Sequence, residues 1–159
     1  MADIIDTTEK ETKQFIVVRI GGEKFGIDIG YVDNIIRLQK ITRVPKAQVW
    51  FKGIINLRGE IVPVMSLRLK FGLEEDVITD KTRIIIIKLE QQTTVGLIVD
   101  QVNEVVTLDD EAIEKSNIDA NDEMSGYISA IGKHKDELIS LLNIQLAIAD
   151  KEQLKEKDE

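Results

Sequence analysis

The sequence predicts a mainly β protein: two small β-barrel subdomains packed on a shared core, with short helices and a C-terminal helix. Three observations lead there: β-branched apolar runs of strand length, glycine-bearing bends between them, and a pattern that occurs twice. Residues 84–108 repeat the pattern of residues 15–38 with one residue inserted in the turn. FGIDIGYVDNIIRL lies over VGLIVDQVNEVVTL, so Gly26 matches Gly96, Ile29 Val99, Val32 Val102, Ile35 Val105 and Leu38 Leu108. Each copy then holds about four to five short strands, the count that closes a small barrel and removes exposed edges. Periodicity leaves open whether each barrel uses hairpins adjacent in sequence or pairs the first with the last.

Taken in order, Gln14 to Ile20 and Phe25 to Ile29 read as strands joined by the turn Gly21-Gly22-Glu23-Lys24. Val32, Ile35 and Ile36 stand at helical spacing, which predicts a short amphipathic turn. Ile41 to Pro45 reads as extended, because Pro45 keeps Val44 out of the helical region. The organising stretch is Phe51 to Leu73: two apolar runs flank Arg58-Gly59-Glu60, a tight bend with an arginine at its tip. Pro63 lacks a donor and predicts a sheet edge or a bulge. Ser66 reads as the N-cap of a helix over residues 67–71, and Gly72 as its left-handed terminator. The second copy offers Gly126 to Gly132 against Gly53 to Gly59, Leu138 to Asn143 against Ile61 to Ser66, and a C-terminal helix starting at Ile144.

A chain of 159 residues fits one domain, here 13–150, with polar flanks at 1–12 and 151–159. Hydrophobic residues at 43% and charged residues at 31% place it among globular proteins rather than disordered or membrane chains. The absence of cysteine excludes disulfides, thiolate metal sites and cysteine nucleophiles, and with no signal-like N-terminus it points to a reducing, cytoplasmic address. A net charge of −8 opposes binding to nucleic acid, which demands a basic face.

Catalytic and metal-binding patterns are missing. His134, the one histidine, sits in Gly132 to Asp136, read as a loop, without ligands at metal spacing. Gly21-Gly22 has no following Lys-Ser/Thr and is no phosphate loop. Asp119 to Glu123 opens like a calcium loop, yet Met124 and Ala130 stand where a glycine and a bidentate acid belong. Neither enzyme activity, cofactor nor metal is expected. What remains is surface: Arg58 is either one more solvated charge or a fork of five donors for a partner's carboxylate or helix-end carbonyl. Val32 and Val102 read equally as packing or interface residues.

NLRGEIVPVMSLRLKFGL, with FGIDIGYVDNII before it and VGLIVDQVNEVV after it, resembles the CheW family of bacterial chemotaxis coupling proteins, over about Lys13 to Asp150. A CheA-type regulatory domain or a CheV-like adaptor module shares these motifs; a free-standing domain with short tails is closer to the coupling proteins. The resemblance implies two intertwined five-stranded barrels that hold the histidine kinase CheA to the cytoplasmic tips of methyl-accepting chemoreceptors, so the protein would associate with membrane arrays through partners, without inserting. It places Val32, Arg58, Gly59 and Gly96 where the family grips the receptor, with Ile35 and Val102 beside them. It places kinase contacts at the barrel ends: Val44, Phe51, Lys52, Ile54 and Ile61 at one, and Glu114 and Ile118 at the other. Family members often carry a basic residue and an aromatic at that second end, and this chain departs from the pattern.

Overall fold

The glycine pair Gly21-Gly22, with φ of 64° and 91°, reverses the chain in two residues and sets the first hairpin, β1 (Thr12–Ile20) with β2 (Glu23–Asp28). The computed structural model describes residues 11–90, 93–115 and 124–148. Asp28 accepts a hydrogen bond from Gly30 N at 2.9 Å and opens a 3-10 turn, Ile29–Tyr31, that leads into β3 (Val32–Arg37). The organising stretch forms β4 (Phe51–Leu57), β5 (Glu60–Ser66) and α1 (Leu67–Lys70). The second copy supplies β6 (Arg83–Leu89), β7 (Thr93–Val99), β8 (Gln101–Asp109), β9 (Ile113–Lys115), β10 (Ile128–His134) and β11 (Glu137–Leu142). Helix α2 occupies residues 144–148.

The hairpins are exchanged between the copies. One sheet runs β3-β6-β7-β5-β4 and the other β8-β1-β2-β11-β10-β9, so each copy's first hairpin sits among the other copy's later strands. The two orders superpose strand for strand, down to the parallel pairs β5 with β7 and β11 with β2. This is the mainly β, two-unit architecture expected, with six and five strands, the sixth being the three-residue β9.

The exchange explains the apolar runs. Ile16, Val18 and Ile20 of β1, Phe25 and Ile27 of β2, Ile85 and Ile87 of β6, and Val95, Leu97 and Val99 of β7 fill one core shared by both units. The alternate residues face inward within each unit: Phe15 and Val17 in one, Ile84, Ile86 and Ile98 in the other. Strands covered on both faces read as continuous apolar segments, because neither set of alternating positions meets water.

Four expectations change. Residues 32–36 form strand β3, not a helical turn: the ladder with β6 satisfies their backbone, and a bulge at Asp33 breaks the alternation that would have announced a strand. Thr12 and Lys13 belong to β1, paired with Asp109 and Leu108. His134 ends β10 opposite Glu137 rather than lying in a loop. The copies of the later hairpin also align four residues further on than GYISAIG against GIINLRG suggests. Arg58-Gly59 is matched by Lys135-Asp136, and Trp50, whose carbonyl accepts from Ser66 N, by Tyr127, whose carbonyl accepts from Asn143 N, both at 2.8 Å.

Local expectations hold elsewhere. Ser66 Oγ accepts from Leu69 N at 3.2 Å, and Gly72 at φ 81° closes α1 with Gly72 N donating to Leu69 O and Leu73 N to Arg68 O. Asn143 starts α2 in the same way, its Oδ1 accepting from Leu146 N at 3.0 Å. A fifth expectation fails at Pro63: β5 is an interior strand and Pro63 pairs in regular register with Ile54, neither at a sheet edge nor in a bulge, and its missing donor is accommodated because the ladder to β7 covers only Val64 to Ser66.

One polar clamp sits where the exchanged hairpins cross. Asp100, between β7 and β8, accepts from Arg68 Nε at 3.0 Å and Nη2 at 2.7 Å and from Gly21 N at 3.0 Å, while its own N–H donates to Arg19 O. Burial pushes the Asp100 carboxyl up, but the bonds from Arg68 and Gly21 outweigh it and hold the carboxyl below the usual carboxylate range. The stabilisation is therefore full above the unfolded pKa of about 4 and is lost as pH falls through the lower folded value. Asp100→Ala should cost about 2–3 kcal/mol at pH 7, since Arg68 and Gly21 N lose a charged acceptor. Denaturant titrations should show the gap between wild type and variant closing at pH values below 4.

Candidate functional site

The bend that carries Arg58 is a two-residue reversal with Leu57 opposite Glu60. Arg58 and Gly59 both have positive φ, 53° and 86°, and Asn56 Oδ1 accepts from Gly59 N at 3.0 Å, fixing the turn from inside. Arg58 is exposed and held in a left-handed conformation that an asparagine or glycine would adopt more cheaply, by about 1 kcal/mol. The matching bend at Lys135-Asp136 shares the geometry, with φ of 49° and 67°, so a cation tips both hairpins.

The other residues expected at a receptor surface fall in different settings. Val32 and Val102 occupy matching places on the edge strands β3 and β8, half-buried against the shared core. Ile35 is exposed on β3, as its mate Val105 is on β8. Gln39, just beyond β3, donates to Asn56 O at 3.2 Å and so brings the end of β3 beside the Arg58 bend. Gly96 is not at the surface. It is buried within β7, and a Cβ there would lie 2.8 Å from Ile84 Cγ2 and 3.5 Å from Val64 Cγ2. Its contribution to any partner surface is indirect, through the packing of β7 against β5 and β6.

Five of the expected kinase residues divide between two clefts along β4. Ile54, half-buried and bridged to Thr42, and Ile61, 60% exposed, line an open cleft of about 460 Å³ beside the Arg58 bend. Val44, Phe51 and Lys52 line another of about 360 Å³ at the far end of β4, together with Arg43, Lys46, Val49 and Glu75. Glu114 is exposed on β9, in the six-stranded sheet. Ile118 and the segment Asp119 to Glu123 lie outside the described residues.

Sequence reasoning missed the polar groups beneath this surface. Lys70 is buried, its Nζ 3.9 Å from the Trp50 ring centroid and 5.8 Å from that of Tyr127, so the matching aromatics of the two copies meet around one cation. Asp76, in the loop after α1, is raised by burial, with Ser66 and Lys52 pulling it part of the way back. The signal for the Asp100 clamp was legible in principle: VGLIVD ends an apolar strand on one acid, with Arg68 in the preceding helix. Among the described residues no group of acids and histidine is arranged to hold a metal, and no helix is long and apolar enough to cross a membrane.

The site so described is a two-unit β frame that offers exposed bends and shallow clefts. A CheW-like domain model matches residues 14–152. The chain is 36% identical over 143 residues to the chemotaxis protein CheW of Bacillus subtilis, covering 90% of both chains, and 31% identical over 140 residues to that of Klebsiella aerogenes, covering 88% and 84%. The structure is similar to the scaffolding protein TtCheW of Thermoanaerobacter tengcongensis, with a TM-score of 0.76 at 32% identity, covering 83% of this chain and 89% of that one. The chain belongs to the CheW-like family of chemotaxis scaffolding adaptors.

Because Gly96 is packed on three sides, Gly96→Val should overfill the five-stranded unit and cost at least about 1–3 kcal/mol. Thermal unfolding measures this directly. An unchanged melting temperature would show that Ile84 and Val64 can move aside.

Proposed function

We propose that this chain holds a CheA-type histidine kinase to the cytoplasmic tips of methyl-accepting chemoreceptors and passes receptor state between them, by binding alone. Membership of the CheW-like family carries the reading. The working unit is taken as residues 13–150, and the location as the cytoplasm, at receptor arrays reached through partners.

For the receptor, an amphipathic helix would lay an apolar stripe along Val32, Ile35 and Val102. Arg58 would fork onto a carboxylate or a helix-end carbonyl. Exposure of Arg58 on a rigid two-residue bend supports this, since a partner then meets a guanidinium whose backbone is already fixed. Gly96 enters only through packing. For the kinase, the two clefts along β4 offer Ile54 and Ile61 in one and Val44, Phe51 and Lys52 in the other. Glu114, with Ile118, remains the proposed contact at the opposite barrel end.

Titration of the full chain with a receptor tip fragment and with the kinase regulatory domain tests the reading. Arg58→Gly should keep or slightly raise stability, because glycine accepts positive φ, while weakening receptor binding by about 1.5–3 kcal/mol. Ile61→Glu should leave the melting temperature nearly unchanged and weaken kinase binding by about 1 kcal/mol or more. Absence of both interactions at tens of micromolar would remove the adaptor assignment to these partners. If Ile61→Glu harmed receptor binding as much as Arg58→Gly did, the bend and its neighbouring cleft would be one surface rather than two.

A further inference from the structure

The cleft at the far end of β4 is unusual in its charge. In a chain of net charge −8, it gathers Arg43, Lys46 and Lys52 around the apolar side chains of Val44, Val49 and Phe51. Val49 is 70% exposed. The one acid in the lining is Glu75, whose Oε2 accepts from Lys52 Nζ at 3.1 Å. Its neighbour Asp76 turns its carboxylate oxygens into the protein and takes no part in the lining.

We propose that Glu75 holds the place of a partner carboxylate: it occupies Lys52 in the free chain and is displaced when an acidic side chain flanked by apolar ones enters the cleft. The inference rests on the reading of this cleft as kinase-facing and specifies the chemistry of what enters it.

Three features support the exchange. The Lys52 side chain is 28% exposed and that of Glu75 65%, so the cation is partly withdrawn from water and its present counter-ion is not. An ion pair with one partner this exposed contributes little, so breaking it costs little once a second carboxylate replaces it. The Glu75 carbonyl accepts from Arg68 Nη1 at 3.5 Å, and Arg68 is anchored on Asp100, so the side chain can swing out while the loop backbone stays held. An incoming acid would also meet the charges of Arg43 and Lys46, while Val49 and Phe51 would cover an adjacent apolar group.

The test is a titration of wild type, Glu75→Gln, Lys52→Met and the double variant with the kinase regulatory domain, alongside sedimentation of each chain alone. Glu75→Gln should bind about 2- to 5-fold tighter than wild type, the range of one exposed ion pair, and this gain should vanish in the Lys52→Met background. Unchanged or weaker binding by Glu75→Gln overturns the proposal. So does an equal gain without Lys52, which would mark a long-range charge effect. Self-association of Glu75→Gln alone would make a second copy the occupant and overturn it as well. Failure of the wild type to bind removes the kinase reading together with this one, whereas binding that ignores Glu75 removes this one alone.

Discussion

The exchanged hairpins are the constraint on which everything else depends. β1–β2 and β6–β7 each bury both faces, one in their own unit and one in the shared core, so neither unit can close without strands from the other copy. Burial of a single valine or isoleucine contributes about 1.5–3 kcal/mol, and the shared core takes many of them from both halves of the chain. The units are therefore bound to fold and unfold together. A relative rotation of the two would have to break the packing of Phe25, Phe71 and Tyr127, whose rings lie 5.3 and 5.9 Å apart.

That rigidity suits a protein whose work is binding. Interface side chains carried on a fixed frame lose little entropy on docking, and edge strands held by a common core keep a constant spacing. The frame also decides which side chains are left outside the core. The bends at 58–59 and 135–136 and residues 43–46 are exposed, so their side chains are not committed to the core. Gly96 is the opposite case. A position that family resemblance places with the receptor residues turns out to be a buried, closely packed site, and its effect on any partner must travel through strand position.

How much was legible follows from the same physics. The repeat, the bends, the caps of α1 and α2 and the mainly β class could be read because each has a local cause: a positive φ, a hydroxyl or amide at an N-cap, an apolar run. The exchange could not, since alternation records that a strand is covered but not by which partner. Residues 32–36 misled because a bulge at Asp33 and the mate bulge at Asn103 put apolar side chains at helical spacing within strands. The GYISAIG alignment misled because its glycines matched by identity; the conserved feature of that hairpin is its bend, where Lys135 and Asp136 adopt positive φ without any glycine. At the surface, Arg58 stood out through its neighbours in sequence, whereas the cation cleft joins Arg43 and Lys46 to Lys52 and Glu75 across a loop and a strand, and no window shows it.

The two copies diverge where the core no longer constrains them. Inside, matched positions keep their character: Val32 and Val102 against the shared core, Gly26 and Gly96 within the units, Trp50 and Tyr127 around Lys70. Outside, the cleft beside β4 collects Arg43, Lys46 and Lys52, while the stretch from the end of β8 to β9 on the other unit carries Asp109, Asp110, Glu111 and Glu114. Duplication alone would give two ends that attract the same partner. A partner that complements one charge is repelled by the other, so opposite charge on the two units is a physical means by which a chain with internal symmetry can discriminate between partners.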